Sequence, residues 1–295
     1  SRSDWSSDVC SSDLIYMKYR LFRYSGNKLF LVDKVNELIE KHQSNYMTYI
    51  EPFIGSGAIF YNLSNFSGFC DYFLSDINRD IVSMHSAVSR NFYYNYKAAL
   101  YKVSQFGDIK ENKEAYYNYR NWWNIEYFKK YDKKDYGLYL LPLANSCINS
   151  MLRFGPKGMN QGFGHRHYAI DEETYRHCKS RLEVANIICC DYKDLLKNDY
   201  AKQKKTVFFF DPPYESRQMT YNAGFNRKEF LQQLLAIDNE DSLLMYTDIE
   251  NEESDILLQH GWQKEIVRTM RTTSPSGSSE ITGNEVIYYK KIEET

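Results

Sequence analysis

A buried β-strand that ends in a rigid polar turn is the feature that most constrains this 295-residue chain. The run Thr206-Val207-Phe208-Phe209-Phe210 consists of β-branched and aromatic residues, a composition that favours a buried strand. It is followed at once by Asp211-Pro212-Pro213-Tyr214. In an open α/β sheet, ligands bind at the carboxyl ends of the strands. The chain is therefore predicted to form such a sheet, with a ligand site at this tetrapeptide.

The tetrapeptide offers the groups needed to move a methyl group onto a planar aromatic amine. Asp211 supplies a carboxylate and Pro212 a backbone carbonyl, and the fixed φ of proline stiffens the turn. Two such acceptors would free the lone pair of an exocyclic NH2 group, while the Tyr214 ring could stack on the base. A base inside a duplex would have to be flipped out to reach them. Taken alone, the motif could also be an ordinary strand-ending turn, and adenine N6, cytosine N4, a guanine amine in RNA or a glutamine amide would all fit.

A glycine loop far upstream predicts the site of the methyl donor. A predicted strand at residues 46–50 runs into Glu51-Pro52-Phe53-Ile54-Gly55-Ser56-Gly57, and residues 58–63 are predicted to begin a helix. Strand, glycine loop and helix form the first half of a nucleotide-binding unit. The loop lacks the full dinucleotide fingerprint, and no phosphate-binding Gly-Lys-Ser/Thr follows it. This pattern favours a cofactor that contains adenosine but no pyrophosphate, such as S-adenosylmethionine.

Two further strands each end in an acidic residue that could contact this cofactor. The strand predicted at residues 71–75 leads into Asp76-Ile77-Asn78, and an acidic residue about twenty positions after a glycine loop suits a ribose hydroxyl. The strand predicted at residues 185–190 leads into Asp191-Tyr192, where Asp191 could accept a hydrogen bond from the adenine amine. Asp76 could instead cap the next helix, and Asp191 could be a cap or a turn residue.

A glycine turn near the start of the chain could clamp the methionine end of the donor. It reads Tyr24-Ser25-Gly26-Asn27-Lys28 and precedes a predicted amphipathic helix. Its aromatic ring and its lysine are the candidate contacts. A solvated Lys28 is the alternative.

Taken in order, these motifs resemble the Dam-type family of DNA adenine-N6 methyltransferases, including its phage members. The resemblance runs from about Leu21 to about Tyr289. It implies a class I Rossmann-like methyltransferase sheet that uses S-adenosylmethionine, and methylation of adenine N6 in double-stranded DNA with base flipping, the activity classified as EC 2.1.1.72. The catalytic residues it implies are Asp211, Pro212, Pro213 and Tyr214. The cofactor contacts it implies are Tyr24, Ser25, Lys28, Glu51, Pro52, Phe53, Gly55, Ser56, Gly57, Asp76, Ile77, Asp191, Tyr192 and Asp211.

Residues 153–164 resemble the hairpin by which this family reaches DNA. Here the hairpin is one residue shorter, with Gly155 where Asn is usual and Gly162 where Pro is usual. Arg153 is the candidate for reading a guanine, since Arg binds guanine with two hydrogen bonds in the major groove; a phosphate contact is the alternative. Lys157 and Arg166 are assigned to phosphates, and Asn160 completes the predicted DNA contacts.

The spacing of the motifs predicts a domain organisation. The gap between Ser75 and Ala185 is too long for a loop, and it has helical spacing of aromatic residues. We therefore expect a catalytic domain made of residues 17–90 and 169–295, with a helical target-recognition insertion at 91–168 that includes the hairpin. Residues 1–16 resemble a foreign or disordered segment ahead of a natural start at Met17. Residues 271–283 are expected to be flexible.

Composition limits the other possibilities. The six cysteines show no metal-binding spacing, no apolar run is long enough to span a membrane, and the absence of a Pro-Cys pair argues against cytosine-C5 chemistry. The net charge of −2 requires a local basic face for DNA binding. We expect a cytoplasmic monomer without a metal. Methylation of cytosine N4 or RNA, and an inactive DNA-binding regulator, remain alternatives. The recognition sequence, and a role in restriction-modification, phage protection or regulation, stay open.

Overall fold

A seven-stranded mixed sheet organises the protein. The computed structural model describes residues 18–24, 28–42, 45–150, 152–164, 170–213, 225–273 and 279–293, with only the backbone at 270–273 and 279–282. The strands are β1 (Thr48–Glu51), β2 (Asp71–Asp76), β3 (Phe154–Gly155), β4 (Gly158–Met159), β5 (Ala185–Cys189), β6 (Thr206–Phe210), β7 (Ser242–Ile249), β8 (Gln263–Thr273) and β9 (Ser279–Ile292). The helices are α1 (Val32–Lys41), α2 (Arg79–Arg90), α3 (Tyr93–Ser104), α4 (Lys113–Glu126), α5 (Tyr136–Ser146), α6 (Glu172–Leu182), α7 (Tyr192–Lys197) and α8 (Arg227–Leu235).

The strand order is that of a doubly wound α/β fold. The sheet runs β5-β2-β1-β6-β7-β9-β8. The first five of these strands are parallel, and β9 lies antiparallel between β7 and β8. The chain order reverses between β1 and β6, and this topological switch point is where open α/β sheets bind their ligands. The predicted Rossmann-like sheet is confirmed.

Alternate residues of β6 face two different cores, which explains the continuous apolar run. Val207 and Phe209 pack on the side of α1 and α2, whereas Phe208 and Phe210 pack on the side of α7 and α8. A parallel strand covered on both faces needs apolar side chains at every position. The strand predicted at residues 206–210 is confirmed, and those predicted at 71–75 and 185–190 agree to within one residue.

The structure differs from the sequence-based expectations at two places. Residues 58–63 form only a short 3-10 turn, Phe60–Asn62, because the Asn62 side chain bonds the backbone of Ala58 and Tyr19 and so competes with helix formation. Much of the stretch 271–283, expected to be flexible, lies in the paired strands β8 and β9. The sequence does not predict β8, an edge strand in which residues 263–269 include no buried side chain.

The segment between α2 and α6 contains α3, α4, α5 and the β3–β4 hairpin. Its aromatic residues Tyr116, Tyr119 and Trp123 are buried in the same core cluster as the residues of β2 and β6. Helix α5 packs closely on α2, since a Cβ at Gly137 would lie 2.1 Å from the Ser83 carbonyl oxygen. The segment therefore shares its core with the sheet. Within the described ranges, no helix is long and apolar enough to cross a membrane.

Candidate active site

The Asp211 carboxylate lies at the carboxyl end of β6 and is held by two donors. The Lys28 Nζ atom is 2.9 Å from Asp211 Oδ1, and the Thr247 hydroxyl donates to the same oxygen over 2.9 Å. Lys28 is 4% exposed. Burial raises the pKa of Asp211 above its ordinary value, while Lys28 and Thr247 oppose that rise. The lysine predicted to clamp the donor is therefore an ion-pair partner of the predicted catalytic residue.

Two further charged residues, on β9 and on the edge strand β8, extend this ion pair. Lys28 Nζ is 3.8 Å from Glu285 Oε1, and the opposite oxygen of Glu285 is 2.5 Å from the Arg268 guanidinium. Glu285 is buried on β9. Charges thus alternate along Asp211, Lys28, Glu285 and Arg268, so that the buried ammonium lies between two carboxylates.

Glu51 begins the glycine loop and is buried beside Asp211. Its Oε2 accepts a hydrogen bond of 2.8 Å from the Tyr49 hydroxyl. Burial raises its pKa to about 8, and the charge of Asp211 adds to the rise, although the bonds from Tyr49 and from the Phe60 backbone N–H lower it. The raised pKa favours the neutral form of the Glu51 carboxyl.

Both glycines of the loop require a left-handed backbone. Gly55 has φ +49° and Gly57 has φ +74°, values that only glycine adopts without strain. A Cβ at Gly57 would lie 2.4 Å from the Tyr61 ring, and one at Gly55 would lie 3.5 Å from the Tyr24 ring. The predicted contacts Tyr24, Gly55 and Gly57 thus come together, and the Tyr61 ring occupies the space that a Cβ would take at Gly57.

Asp76 at the end of β2 holds this loop by a hydrogen bond. Its carboxylate accepts from the Gly55 N–H at 3.1 Å and from the Asn78 N–H at 2.8 Å. Burial raises its pKa to about 6, against the lowering effect of those two bonds. The cap of α2 is Asn78, which accepts from the Asp80 N–H, so the alternative interpretation of Asp76 as that cap is wrong. The neighbouring Ile77 is 51% exposed.

A buried histidine that the sequence analysis missed also holds the loop. The Nε2 atom of His85 lies 2.8 Å from the Gly55 carbonyl oxygen, and its Nδ1 atom lies 2.6 Å from the Tyr61 hydroxyl oxygen. A carbonyl only accepts, so Nε2 carries the hydrogen and Tyr61 donates to Nδ1. Burial lowers the pKa of His85 to about 4, which keeps the ring neutral. The available signal was a lone His between Met84 and Val88 on the apolar face of α2.

The residues that follow β5 add an aromatic cluster at the carboxyl ends of the parallel strands. Asp191 caps α7 by accepting from the Lys193 N–H at 2.9 Å. Tyr192 is buried and packs 5.3 Å from the Phe53 ring. The Tyr192 hydroxyl has no hydrogen-bond partner among the residues that the structure describes. The oxygen of this hydroxyl is fully buried.

Several predicted site residues lie outside the described residues, namely Ser25, Arg166 and Tyr214. Of the other loop and turn positions, Pro52, Ser56 and Pro212 are buried, whereas Phe53 and Pro213 are half-buried. In the described ranges, no group of three His, Cys, Asp or Glu side chains could hold a metal ion.

The predicted DNA hairpin is supported from α4. Phe154 pairs with Met159 and Gly155 with Gly158. The Asn124 side chain donates to the Met159 carbonyl at 2.9 Å and accepts from the Met159 N–H at 2.8 Å.

At the open end of the hairpin, the exposed Arg153 donates through Nε to Asn160 Oδ1 over 2.9 Å. Lys157 is exposed in the turn. The hairpin therefore presents Arg153, Lys157 and Asn160 to solvent on a supported backbone.

The fold is a doubly wound α/β sheet, with the glycine loop and Asp211 at the carboxyl ends of the neighbouring strands β1 and β6. The model of the D12 class N6 adenine-specific DNA methyltransferase family matches residues 24–253, and the chain belongs to this family. It is 28% identical over 218 residues to a DNA adenine methylase of Haemophilus influenzae, covering 72% of this chain and 71% of that protein. It is 26% identical over 274 residues to the DNA adenine methylase of Escherichia coli K12, with 89% and 92% covered.

The type II methyltransferase M.MjaIII of Methanocaldococcus jannaschii is 25% identical over 205 residues, with 67% of this chain and 70% of that protein covered. Together with the family match, these relatives confirm the predicted family and the predicted enzyme class, adenine-N6 methylation of DNA. Methyltransferases of this family generally use S-adenosylmethionine as the methyl donor.

Proposed function

We propose that the protein holds S-adenosylmethionine over the loop from Glu51 to Gly57 and methylates the N6 amine of an adenine flipped out of double-stranded DNA against Asp211. The observation that carries the proposal is the adjacency of the two motifs. Strand β1 pairs in parallel with β6, and Asp211 is close enough to Glu51 for its charge to raise the pKa of Glu51. A donor on the loop would therefore lie within reach of an amine at Asp211.

The residues around the loop fit the donor. The left-handed glycines let a ligand approach the backbone, and the half-buried Asp76 has acceptor capacity left for ribose hydroxyls. Asp191 and the unsatisfied Tyr192 hydroxyl suit the adenine end, with Phe53 and Ile77 as apolar contacts. Tyr24, Ser25 and Lys28 suit the methionine end, and Pro52 and Ser56 shape the loop. The donor itself supplies a methyl group made electrophilic by its sulfonium.

The turn from Asp211 to Tyr214 would activate the amine and hold the flipped base. Asp211 and the Pro212 carbonyl accept hydrogen bonds from the N6 amine, which directs its lone pair at the methyl carbon. As the N–C bond forms and the C–S bond breaks, Asp211 can take up the proton that N6 loses and pass it to solvent. Pro213 stiffens the turn, and Tyr214 would stack on the flipped base. Burial raises the pKa of Asp211 above its ordinary value, and a higher pKa makes a carboxylate a better proton acceptor.

Binding of DNA is assigned to the insertion at residues 91–168, between the catalytic segments 17–90 and 169–295. The exposed Arg153 and Asn160 would contact base edges, with Lys157 and Arg166 on phosphates. This arrangement follows the resemblance of the hairpin and the support that α4 gives it. We propose that the protein acts as a monomer, without a metal, on DNA in the cytoplasm of a bacterial or phage-infected cell.

Asp211→Ala tests the proposal. We expect the affinity for S-adenosylmethionine to stay within about tenfold of the wild type while turnover on duplex DNA falls by orders of magnitude. The control is Asp199→Ala, since the Asp199 side chain is fully exposed; it should methylate like the wild type. Retained methylation by the purified Asp211 variant would reject the catalytic assignment.

A further inference from the structure

Thr247 is a buried residue whose hydroxyl is directed at the catalytic carboxylate. Strand β7 pairs in parallel with β6, with Tyr246 opposite Phe210, so the next residues, Thr247 and Asp211, lie side by side. Thr247 is 1% exposed. Its hydroxyl is 2.9 Å from Asp211 Oδ1 and 3.5 Å from the Phe210 carbonyl oxygen. The shorter contact is therefore its principal hydrogen bond.

The two oxygens of Asp211 are not equivalent. Oδ1 receives both the Thr247 hydroxyl and the Lys28 ammonium. Among the residues that the structure describes, no donor contacts Oδ2. Glu51 and Glu285 are the other charged groups that act electrostatically on this carboxyl. Within the described part of the chain, Oδ2 is thus the oxygen of Asp211 that keeps its acceptor capacity.

We propose that Thr247 is a positioning residue, which together with Lys28 holds Oδ1 of Asp211 so that Oδ2 is the oxygen that receives the N6 amine. The inference rests on the proposed function, since it assigns the two oxygens of the same catalytic carboxylate. Thr247 would not touch the base or the donor.

The hydroxyl is suited to this role in a way that Lys28 alone is not. A β-branched side chain is stiff about χ1, and Thr247 lies in the interior of β7, so its oxygen has a fixed position. Lys28 has a long, rotatable side chain and a second carboxylate partner in Glu285 at 3.8 Å. Without the hydroxyl, the Asp211 carboxyl could rotate about its Cβ–Cγ bond and turn its free oxygen away from the amine.

The test compares Thr247→Ser with Thr247→Ala, because both variants lose the same methyl group and only one loses the hydroxyl. Thr247→Val removes the hydroxyl while keeping the shape. Single-turnover methylation of duplex DNA should proceed within about threefold of wild type for the Ser variant, and at least about tenfold more slowly for the Ala and Val variants. The affinity for S-adenosylmethionine should stay within about twofold in all three, since among the described residues the side-chain hydrogen bonds of Thr247 go to Asp211 and Phe210 and not to the donor loop.

A second readout separates positioning from general damage. Loss of a donor to Oδ1 raises the pKa of Asp211, so the acid limb of the rate against pH should move to higher pH in the Ala and Val variants and stay in place in the Ser variant. Equal rates and equal pH profiles for the Ser and Ala variants would overturn the inference. So would a loss of donor affinity that matches the loss of rate. If Thr247→Val does not fold, the Ser and Ala pair decides alone.

The two proposals fail in different ways. A wild-type protein that binds S-adenosylmethionine but never methylates DNA would defeat the proposed function itself. An active wild type whose rate does not depend on the hydroxyl at position 247 would defeat only the assignment of Thr247.

Discussion

Glu51→Gln should remove a large pH dependence from the stability of the protein. Glu51 is buried and its pKa rises from 4.5 to about 8, chiefly through burial. A carboxyl with a raised pKa stabilises the folded state fully below its unfolded pKa, and that contribution is lost as the pH rises through the folded pKa. The wild type should therefore lose stability between about pH 5 and about pH 8. The glutamine side chain, which does not titrate, keeps the neutral form at every pH.

The size of the effect follows from the pKa. Each pH unit between the unfolded and folded pKa corresponds to about 1.4 kcal/mol, so the span from 4.5 to about 8 gives an upper bound of roughly 5 kcal/mol. A partial opening of the site that admits water would reduce this value. The folded wild type should thus be similar in stability to the variant near pH 5 and weaker by several kcal/mol near pH 8, within that bound.

Urea unfolding of the ligand-free protein, followed by circular dichroism at several pH values and constant ionic strength, measures the difference. Glu111→Gln is the control, since Glu111 is exposed between α3 and α4; its difference from the wild type should not change with pH. A difference between wild type and Glu51→Gln that stays constant from pH 5 to pH 8 would refute the reasoning, because it would mean that Glu51 ionises in the folded protein as it does in the unfolded chain.

Three further predictions concern the donor loop and the hairpin. Gly57→Ala should cost more stability and donor affinity than Gly261→Ala, since both have a left-handed backbone but a Cβ would meet the Tyr61 ring only at Gly57; calorimetric titration with S-adenosylmethionine measures the affinity, and equal effects of the two changes would contradict the close packing. His85→Phe should weaken donor binding about tenfold by freeing the loop carbonyl, and unchanged affinity would exclude His85 as a support. Lys157→Ala should weaken binding to every duplex alike and reduce the salt slope by about one; a change confined to one sequence would instead assign Lys157 to a base.

The sequence predicts an element of the fold well where its local environment admits only one type of residue. Strand β6 needs apolar side chains on both faces, so the run Thr206–Phe210 predicts its own bounds. The glycine loop after β1 and the acidic residues at the ends of β2 and β6 are also predicted, because ligands bind at the carboxyl ends of parallel strands. Patterns fail where the local signal is weak: β8 has polar residues and an exposed face, and the side chain of Asn62 diverts the chain from the helix expected after the loop.

Contacts between distant residues could not be predicted in this way. Lys28 and Asp211 are brought together only by the folded sheet. From the sequence alone, Lys28 could be either a contact of the methyl donor or a solvated side chain. Thr247 reaches Asp211 because β7 lies beside β6, a pairing that no motif encodes. The role of His85 depends on two partners, Gly55 and Tyr61, which only a three-dimensional arrangement can supply.

The most direct test of the account is to locate the transferred methyl group. Duplex DNA is incubated with the purified protein and S-adenosylmethionine that carries a trideuterated methyl, then digested to nucleosides and analysed by mass spectrometry. The label is expected on N6 of deoxyadenosine with the wild type, and no label is expected with an Asp211→Ala variant that still binds the donor. Label on deoxycytidine, or undiminished labelling by the variant, would contradict it.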